Sequence, residues 1–243
     1  MIVKEFHDKI IEQIDLIEQK ETTHIRKAAK VLFDTFLKDG IVHIFATGHS
    51  HMFAEELFYR AGGLVQIDPV LVPVLMQHEG PIRSTQMERL TGLAQNIYDS
   101  IDKKEDEPFI IVSNSGINCV PVEMAELAKK DGRMVIAVTS VEASFSSTPR
   151  TISKKRLCEV ADIIIDNHIP IGDGVIESEY GKIGAASSII GSYIAQSLVL
   201  EVINLYKEKG MIPPIYQSAN TIGGDAHNKQ LYEKYQKRIR MLY

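Results

Sequence analysis

Through the first 39 residues, apolar side chains recur every three or four positions, which is the spacing of one face of an α-helix. They are Phe6, Ile10, Ile14 and Ile17, then Ile25, Ala28, Ala29, Leu32 and Phe36. A polar gap from Glu21 to Thr23 interrupts this pattern, and a threonine there can cap a following helix. The pattern therefore predicts two N-terminal amphipathic helices.

Five short, mostly apolar runs follow, and helical patterns at residues 55–61, 87–101 and 122–131 separate several of them. The runs are IVHIFA from Ile41, PVLVPVLM from Pro69, FIIVS from Phe109, MVIAVT from Met134 and ADIIID from Ala161. Continuous apolar strands that alternate with helices are typical of a parallel sheet covered on both faces. We predict an α/β fold, a three-layer αβα sandwich with a five-stranded parallel sheet.

After the fifth run, an apolar helical stretch extends from Ala185 to Gly210, and glycine is a frequent C-terminal stop. A turn-rich loop and a charged helix follow. The chain has 243 residues, of which 44% are hydrophobic, so it can bury the core of one domain. We predict a single domain with N-terminal helices in residues 1–39, an α/β core in 40–210, and a C-terminal loop and helix in 211–243.

Charge and composition exclude several classes of partner. The formal net charge is −5 and basic residues form no stripe, which argues against nucleic acid as a primary partner. The N-terminus lacks the apolar core of a signal peptide, and no stretch approaches the roughly 20 apolar residues of a membrane span. The two cysteines, Cys119 and Cys158, form no CxxC motif, so we interpret both as core residues, with a nucleophilic Cys119 as the alternative. We expect a cytoplasmic protein.

Polar residues and a glycine interrupt the chain directly after the first and third strand-like runs, at residues 47–51 and 113–118. The carboxyl ends of parallel strands hold the ligand in such sheets. Serine and asparagine caps would explain either break alone, but glycines that admit close approach and helix N-termini in both places favour a bound anion. The GxGxxG and GxxxxGK[ST] motifs of nucleotide sites are absent, so we expect a compact phosphorylated ligand. The candidate binding residues are Gly48, His49, Ser50, Ser113, Asn114, Ser115, Gly116 and Asn118.

The segments TGHSHMFAEEL and SNSGINCVPVEMAELAKKDGRMVIAVTS resemble the sugar isomerase (SIS) domain family. In that family, hydroxyl groups of the two loops bind the phosphate of a phosphosugar. The resemblance implies this role for Ser50, Ser113, Ser115 and Asn118, with asparagine in place of the usual threonine at position 118. It also implies a homodimer or homotetramer whose sites borrow residues from a neighbour.

The family's chemistry is mostly aldose–ketose isomerisation through an enediol, which needs a base close to the sugar carbons. FAEEL, at residues 53–57, is similar to the phosphoheptose isomerases, in which the second glutamate is the base. The resemblance implies Glu56 as base, and the shorter spacing from the glycine loop keeps Glu55 as a second candidate. A solvated helix face is the alternative interpretation.

The partner that handles the carbonyl oxygen is less constrained, because the long C-terminal helix lacks the histidine of the phosphoheptose isomerases. The candidates are His49, His51, His78, Glu79 and His227. We place His51 and His227 in the catalytic set, although GGDAHN is also explained by Asp225 capping the last helix. His49 and His51 are metal-ligand types without a metal-site spacing, so we expect no required metal and no cofactor.

The sequence thus predicts a protein that binds a phosphosugar and isomerises it. Two alternatives stay open: a non-catalytic phosphosugar sensor with the same site, and an etherase or lyase that acts through an enolate-like intermediate. Fold resemblance alone does not separate the three. The sequence does not select among hexose, heptose, pentose and amino sugar phosphates.

Overall fold

The computed structural model describes residues 1–243 and contains nine helices and seven strands. In chain order they are α1 (Ile2–Leu37), β1 (Val42–Ala46), α2 (His51–Leu57), β2 (Ile67–Val70), α3 (Pro81–Met87), α4 (Leu93–Asp99), β3 (Phe109–Val112), α5 (Cys119–Lys130), β4 (Val135–Thr139), α6 (Val141–Phe145), α7 (Leu157–Val160), β5 (Ile163–Asp166), β6 (Gly174–Ser178), β7 (Gly181–Ala185), α8 (Ser187–Glu208) and α9 (Gly224–Tyr235).

Five strands form one sheet in the order β2-β1-β3-β4-β5, and every neighbouring pair is parallel. This confirms the predicted α/β fold with a five-stranded parallel sheet. From β1, the chain first adds β2 on one side and then places β3 on the other. The switch point of the sheet therefore lies between β1 and β3, whose last residues, Ala46 and Val112, are directly opposite each other.

Both faces of the sheet are buried, which explains why its strands are almost continuously apolar. Ile44 and Ile110 belong to a core shared with α1, α2 and α8. Phe45 and Ile111, one position further along, belong to a second core shared with α4 and α5. Successive side chains of one strand point to opposite faces, so each strand supplies both cores.

The prediction of two N-terminal helices is wrong, because α1 continues without a break through residues 21–23. Thr22 does not cap a new helix; its hydroxyl donates back to the carbonyl of Glu18 within α1. Glu21 is buried and accepts hydrogen bonds from two histidine side chains, His24 and His168. The polar gap in the sequence is therefore a buried polar contact of one long helix.

Two other segments differ from the sequence-based expectation. The run from Pro69 is a strand only as far as Val70, and its remainder forms 3-10 turns at Pro73–Leu75 and Gln77–Glu79. An edge strand tolerates Pro69, because its outer side has no partner strand. The antiparallel hairpin of β6 and β7 was not predicted.

By length and composition, α8 is apolar enough to cross a membrane, with a mean hydropathy of 1.4. In the fold, however, Ile190, Ile194, Leu198 and Val202 of this helix are fully buried in the core that contains α1 and the sheet. Core packing thus accounts for part of the hydropathy of α8, with a third of its apolar window buried. The cytoplasmic location stays a prediction.

Candidate functional site

The loops that follow β1 and β3 face one another across an open cleft of about 360 Å³ at the switch point of the sheet. The cleft is lined by Thr47, Gly48, His49, Ser50, Gln77, Glu88, Ser113, Asn114, Ser115, Asn118, Ala143, Ser146, Ser147, Ile171, Gly172 and Asp173. No lysine or arginine is among these residues. Ligands of open α/β sheets bind at such a position, outside the carboxyl ends of the strands.

Each loop turns at a glycine in the left-handed region, with φ of +57° at Gly48 and +60° at Gly116. A Cβ atom at Gly116 would also lie 2.7 Å from Ser144 Oγ and 2.8 Å from Thr139 Oγ1. The second loop therefore needs glycine both for its backbone conformation and for its close contact with β4 and α6.

The two loops carry three serine hydroxyls that are able to donate to a ligand in the cleft. Ser50 and Ser115 make no side-chain hydrogen bond within the chain, while Ser113 Oγ accepts the Gly116 N–H at 3.2 Å. A hydroxyl that accepts one hydrogen bond still has its own proton to donate. All three side chains thus offer an O–H group at the loop surfaces.

Two asparagines add amide donors. Asn118 Oδ1 accepts from Arg150 Nη1 at 2.7 Å, and Asn114 Oδ1 accepts from Asn167 Nδ2 at 2.9 Å. With the oxygens occupied, each side chain retains its NH₂ group for a ligand. Sequence reasoning identified both asparagines but neither of the residues that orient them.

Two carboxylates of the cleft were missed by sequence reasoning. Glu88 follows α3, where Thr47 Oγ1 donates to its Oε2 at 2.6 Å, and no partner within the chain binds its Oε1. Asp173 accepts from the Ser187 N–H at 2.8 Å and the Ser187 hydroxyl at 2.9 Å, so it caps α8. Neither residue belongs to a strand-end motif, and only the folded chain brings them to the loops.

A sequence profile described as the SIS domain matches residues 5–140, which is more than half of the chain. The chain belongs to the SIS domain family. This confirms the predicted family. UPF0309 protein GK1441 of Geobacillus kaustophilus is 40% identical over 99% of this SIS protein and 97% of the relative.

Two solved structures share the fold of this SIS protein. A phosphoheptose isomerase from Francisella tularensis is 15% identical, covers 83% of this chain and 96% of its own, and has a TM-score of 0.56. The Vibrio vulnificus NanR protein, solved in complex with ManNAc-6P, is 13% identical, with 99% of this chain and 70% of its own covered and a TM-score of 0.51.

Within one chain of the SIS protein, the two predicted catalytic glutamates do not line the cleft. Gln196 Nε2 of α8 donates to Glu56 Oε1 at 2.7 Å, and Arg60 Nη1 lies 3.1 Å from Glu56 Oε2. Glu55 is exposed, 3.6 Å from His51 Nε2. Their catalytic roles stay predictions.

Of the candidate histidines, only His49 lines the cleft, with an exposed side chain. His51 is buried and its Nδ1 donates to the carbonyl of Gly48, so it stabilises the backbone of the first loop. The His78 ring lies 6.0 Å from that of His51, and Glu79 pairs with Arg83. These neighbours lie beside the loop, outside the cleft.

His227 lies near the edge of the sheet that β2 forms. Its Nε2 donates at 3.0 Å to the carbonyl of Ile215, a residue that bridges to Leu64 ahead of β2. The helix to which it belongs, α9, packs near the amino end of β1 through Tyr235 and Ile41. The structure therefore does not bring His227 into the cleft of its own chain.

A buried charge network lies at the amino ends of the strands. His43 Nδ1 is 2.7 Å from Asp68 Oδ2, and Nε2 is 3.3 Å from Glu107 Oε2. Burial alone would lower the pKa of His43, but hydrogen bonds to the two carboxylates raise it. Burial opposes ionisation of Glu107, yet hydrogen bonds from His43 and Arg238 hold its pKa well below the usual range.

Neither cysteine lies in the cleft. Cys119 and Cys158 are both buried, which supports the interpretation as core residues. Burial raises the pKa of the Cys158 thiol. No group of three or more histidine, cysteine or carboxylate side chains has an arrangement that could hold a metal ion.

Proposed function

We propose that this SIS protein binds a phosphosugar in the cleft and interconverts its aldose and ketose forms through an enediol. The observation that carries the proposal is the set of uncommitted donors on the two loops: three serine hydroxyls and two asparagine amides around one cleft. A phosphate dianion accepts several hydrogen bonds, and those to a charged group are the stronger kind.

The second loop also leads into α5, a helix of 12 residues whose N-terminus lies at this end of the sheet. In its first turn the Val120 N–H donates to the carbonyl of Glu88 at 3.0 Å and Pro121 has no N–H, so the helix acts on the cleft mainly through its dipole. The positive end of the helix dipole favours an anion. Together with the hydroxyls, it replaces the lysine or arginine that the cleft lacks. The shared fold with a phosphoheptose isomerase and with a ManNAc-6P complex supports a phosphosugar over other phosphorylated ligands.

For the isomerisation we propose Glu88 as the base, because its Oε1 is free and Thr47 holds the other oxygen in place. The base removes the proton from C2 of the aldose. The C–H electron pair then forms the C1–C2 double bond, and the carbonyl oxygen takes up a proton, for which we propose His49, the candidate histidine that lines the cleft. Return of the proton from the base to C1, with loss of the C2 hydroxyl proton, gives the ketose.

A panel of pentose, hexose, heptose and amino sugar phosphates tests the proposal in two steps. Thermal stabilisation of the purified protein identifies ligands, since a ligand that binds only the folded state raises the melting temperature. NMR in D₂O then follows exchange of the carbon-bound proton next to the carbonyl. We expect both signals for the same sugar phosphate.

Stabilisation without proton exchange would support the sensor, and loss of a substituent from the sugar would support the etherase or lyase. Absence of stabilisation by every phosphosugar in the panel would contradict phosphosugar binding itself. The corresponding sugars without phosphate are the matched controls, and we expect them to give no shift.

A further inference from the structure

Asn167 follows β5, contacts the cleft residue Asn114 and is only 4% exposed. Its Oδ1 accepts the backbone N–H of Ile169 at 3.2 Å. A backbone N–H can only donate, so this contact fixes which end of the Asn167 amide is oxygen. The Nδ2 group must then be on the other side, where it donates to Asn114 Oδ1 at 2.9 Å.

The orientation is transmitted to Asn114. Because its Oδ1 is occupied by Asn167, its Nδ2 is left without a partner in the chain, and Asn114 lines the cleft. We infer that Asn167 is a positioning residue that holds the Asn114 amide with its NH₂ toward the cleft, where it donates to the anionic group of the ligand. This inference rests on the proposed phosphosugar function.

The backbone on both sides keeps the pair in place. The Asn167 N–H donates to the carbonyl of Thr139 at 2.9 Å, and Gln13 Nε2 of α1 donates to the Asn167 carbonyl at 3.2 Å. The Asn114 carbonyl accepts the Ser140 N–H at 3.0 Å. If the Asn114 amide turned over, its NH₂ group would face that of the buried Asn167, and the Asn167 donor would lose its partner, which is costly for a buried group.

Asn118 on the same loop is oriented in an equivalent way, because Arg150 has donors only and therefore also binds the amide oxygen. Two amides thus present NH₂ groups to the cleft, and neither can present its oxygen without losing a partner. Such a pair favours a group that only accepts hydrogen bonds, such as a phosphate dianion, over an alcohol or an ammonium group.

The polarity of the Asn114–Asn167 contact can be measured without any ligand. In wild-type protein, the Asn167 side-chain NH₂ should be protected from exchange with water, while that of Asn114 should exchange rapidly. NMR of asparagine-labelled protein measures both, with the Asn114→Ala variant to assign the Asn114 signal. Protection of the Asn114 NH₂ instead would overturn the inference, whatever the protein binds.

A double-mutant cycle tests the role in binding, with inorganic phosphate as the probe. Asn114→Ala should weaken phosphate binding by about 10- to 100-fold, which corresponds to one hydrogen bond to a charged group. Asn167→Leu, which is close in size, should weaken it in the wild-type background and have no further effect in the Asn114→Ala background. An equal loss in both backgrounds would make Asn167 merely structural and overturn the inference.

The two arms separate failure of the inference from failure of the proposed function. If neither phosphate nor any phosphosugar binds wild-type protein, the proposed phosphosugar function and the proposed anionic ligand are both wrong. The exchange measurement still shows which way the Asn114 and Asn167 amides are oriented. If phosphate binds and Asn114→Ala binds it as well as wild type does, the function stands and the inference is wrong. An unfolded Asn167→Leu variant does not affect the exchange measurement.

Discussion

Glu88 lines the cleft. One of its carboxylate oxygens accepts a hydrogen bond from Thr47, and the other has no partner within the chain. The bound oxygen fixes the side chain, and the free oxygen is a suitable proton acceptor. Glu56, the base implied by the family resemblance, instead has both oxygens engaged, by Gln196 and Arg60. At the scale of single residues, the structure and the family resemblance therefore differ on which glutamate, when changed to glutamine, should abolish proton exchange.

We therefore predict that Glu88→Gln lowers proton exchange on a confirmed phosphosugar by at least about 100-fold, the usual lower worth of a positioned general base. The dissociation constant of the phosphosugar from Glu88→Gln should change little, because glutamine is close to glutamate in size and its side-chain oxygen can still accept a hydrogen bond from Thr47. Glu56→Gln is the rival variant and Glu55→Gln the exposed control, measured in the same NMR assay. Full exchange in Glu88→Gln together with a large loss in Glu56→Gln would assign the base to Glu56.

Gly116 gives a second prediction at this scale, because the chain contains a matched control. Gly132 also has a positive φ, +75°, but nothing lies within 4 Å of a Cβ atom built there. Gly132→Ala should cost roughly 1–2 kcal/mol for the left-handed conformation alone. Gly116→Ala should cost about 1–3 kcal/mol more, because the methyl group meets Ser144 and Thr139. Urea unfolding of both variants measures the difference, and equal losses would show that close packing at Gly116 is unimportant.

At the scale of elements, the sequence predicted best what depends on local pattern. Four of the five apolar runs contain a complete strand, because a strand buried on both faces is almost continuously apolar, while the run from Pro69 overlaps only the last two residues of β2. The two loops were predicted because their glycines and serines directly follow such runs. The hairpin of β6 and β7 was missed because β7, GKIGA, contains no apolar run that would mark a strand. The carboxylates Glu88 and Asp173 were missed because their positions depend on contacts with residues in other segments, Thr47 and Ser187.

Glu21 of the long helix α1 is a further residue whose role the local sequence pattern does not reveal. Glu21 looked like part of a polar break, but it is 4% exposed and accepts from His24 Nδ1, His168 Nε2 and the Asp166 N–H at 2.9, 3.0 and 3.2 Å. Its partners near β5 are about 145 positions away in the chain. No local pattern contains that information.

Glu21→Ala should therefore lower the free energy of unfolding by about 1–3 kcal/mol for each buried donor that it leaves unpaired. Glu18, one turn earlier on α1, is exposed, and Glu18→Ala should change stability by less than about 0.5 kcal/mol. Urea unfolding followed by circular dichroism compares the two. Similar small losses in both variants would mean that Glu21 does not attach α1 to the sheet.

At the scale of the whole molecule, the apolar face of α1 is largely buried within the chain. Ile17, Ile25, Leu32 and Phe36 are buried in the core shared with α8 and the sheet. Other apolar side chains are exposed, on α1 as well as on α8, where Ile11 is 43% and Leu200 64% exposed. The homodimer or homotetramer implied by the family stays a prediction.

The buried charge network connects parts of the chain that are far apart in sequence. His43 lies on β1, Asp68 on β2 and Glu107 just before β3, and Arg238, beyond α9, binds both oxygens of Glu107 at 2.8 and 2.7 Å. The network thus attaches the C-terminal segment to the amino ends of three strands. Its charges make that attachment depend on pH.

The direction of this dependence follows from the two pKa shifts. The pKa of His43 is raised above its ordinary value of 6.5, so its contribution is complete below pH 6.5 and is lost as pH rises through the folded-state pKa. The pKa of Glu107 is depressed from 4.5, so its contribution is complete above pH 4.5 and is lost only in stronger acid. The network should stabilise the fold most between about pH 4.5 and 6.5.

We therefore predict that the difference in unfolding free energy between wild type and His43→Gln is largest near pH 6 and shrinks toward pH 9. Urea unfolding across that range measures the difference, and His49→Gln, which changes an exposed histidine, should show no such trend. NMR titration of the His43 ring in wild-type protein gives an independent reading if the variant is too unstable. A His43 pKa below 6.5, or a stability difference that grows with pH, would show that burial outweighs the two carboxylates and that the histidine is neutral in the folded protein.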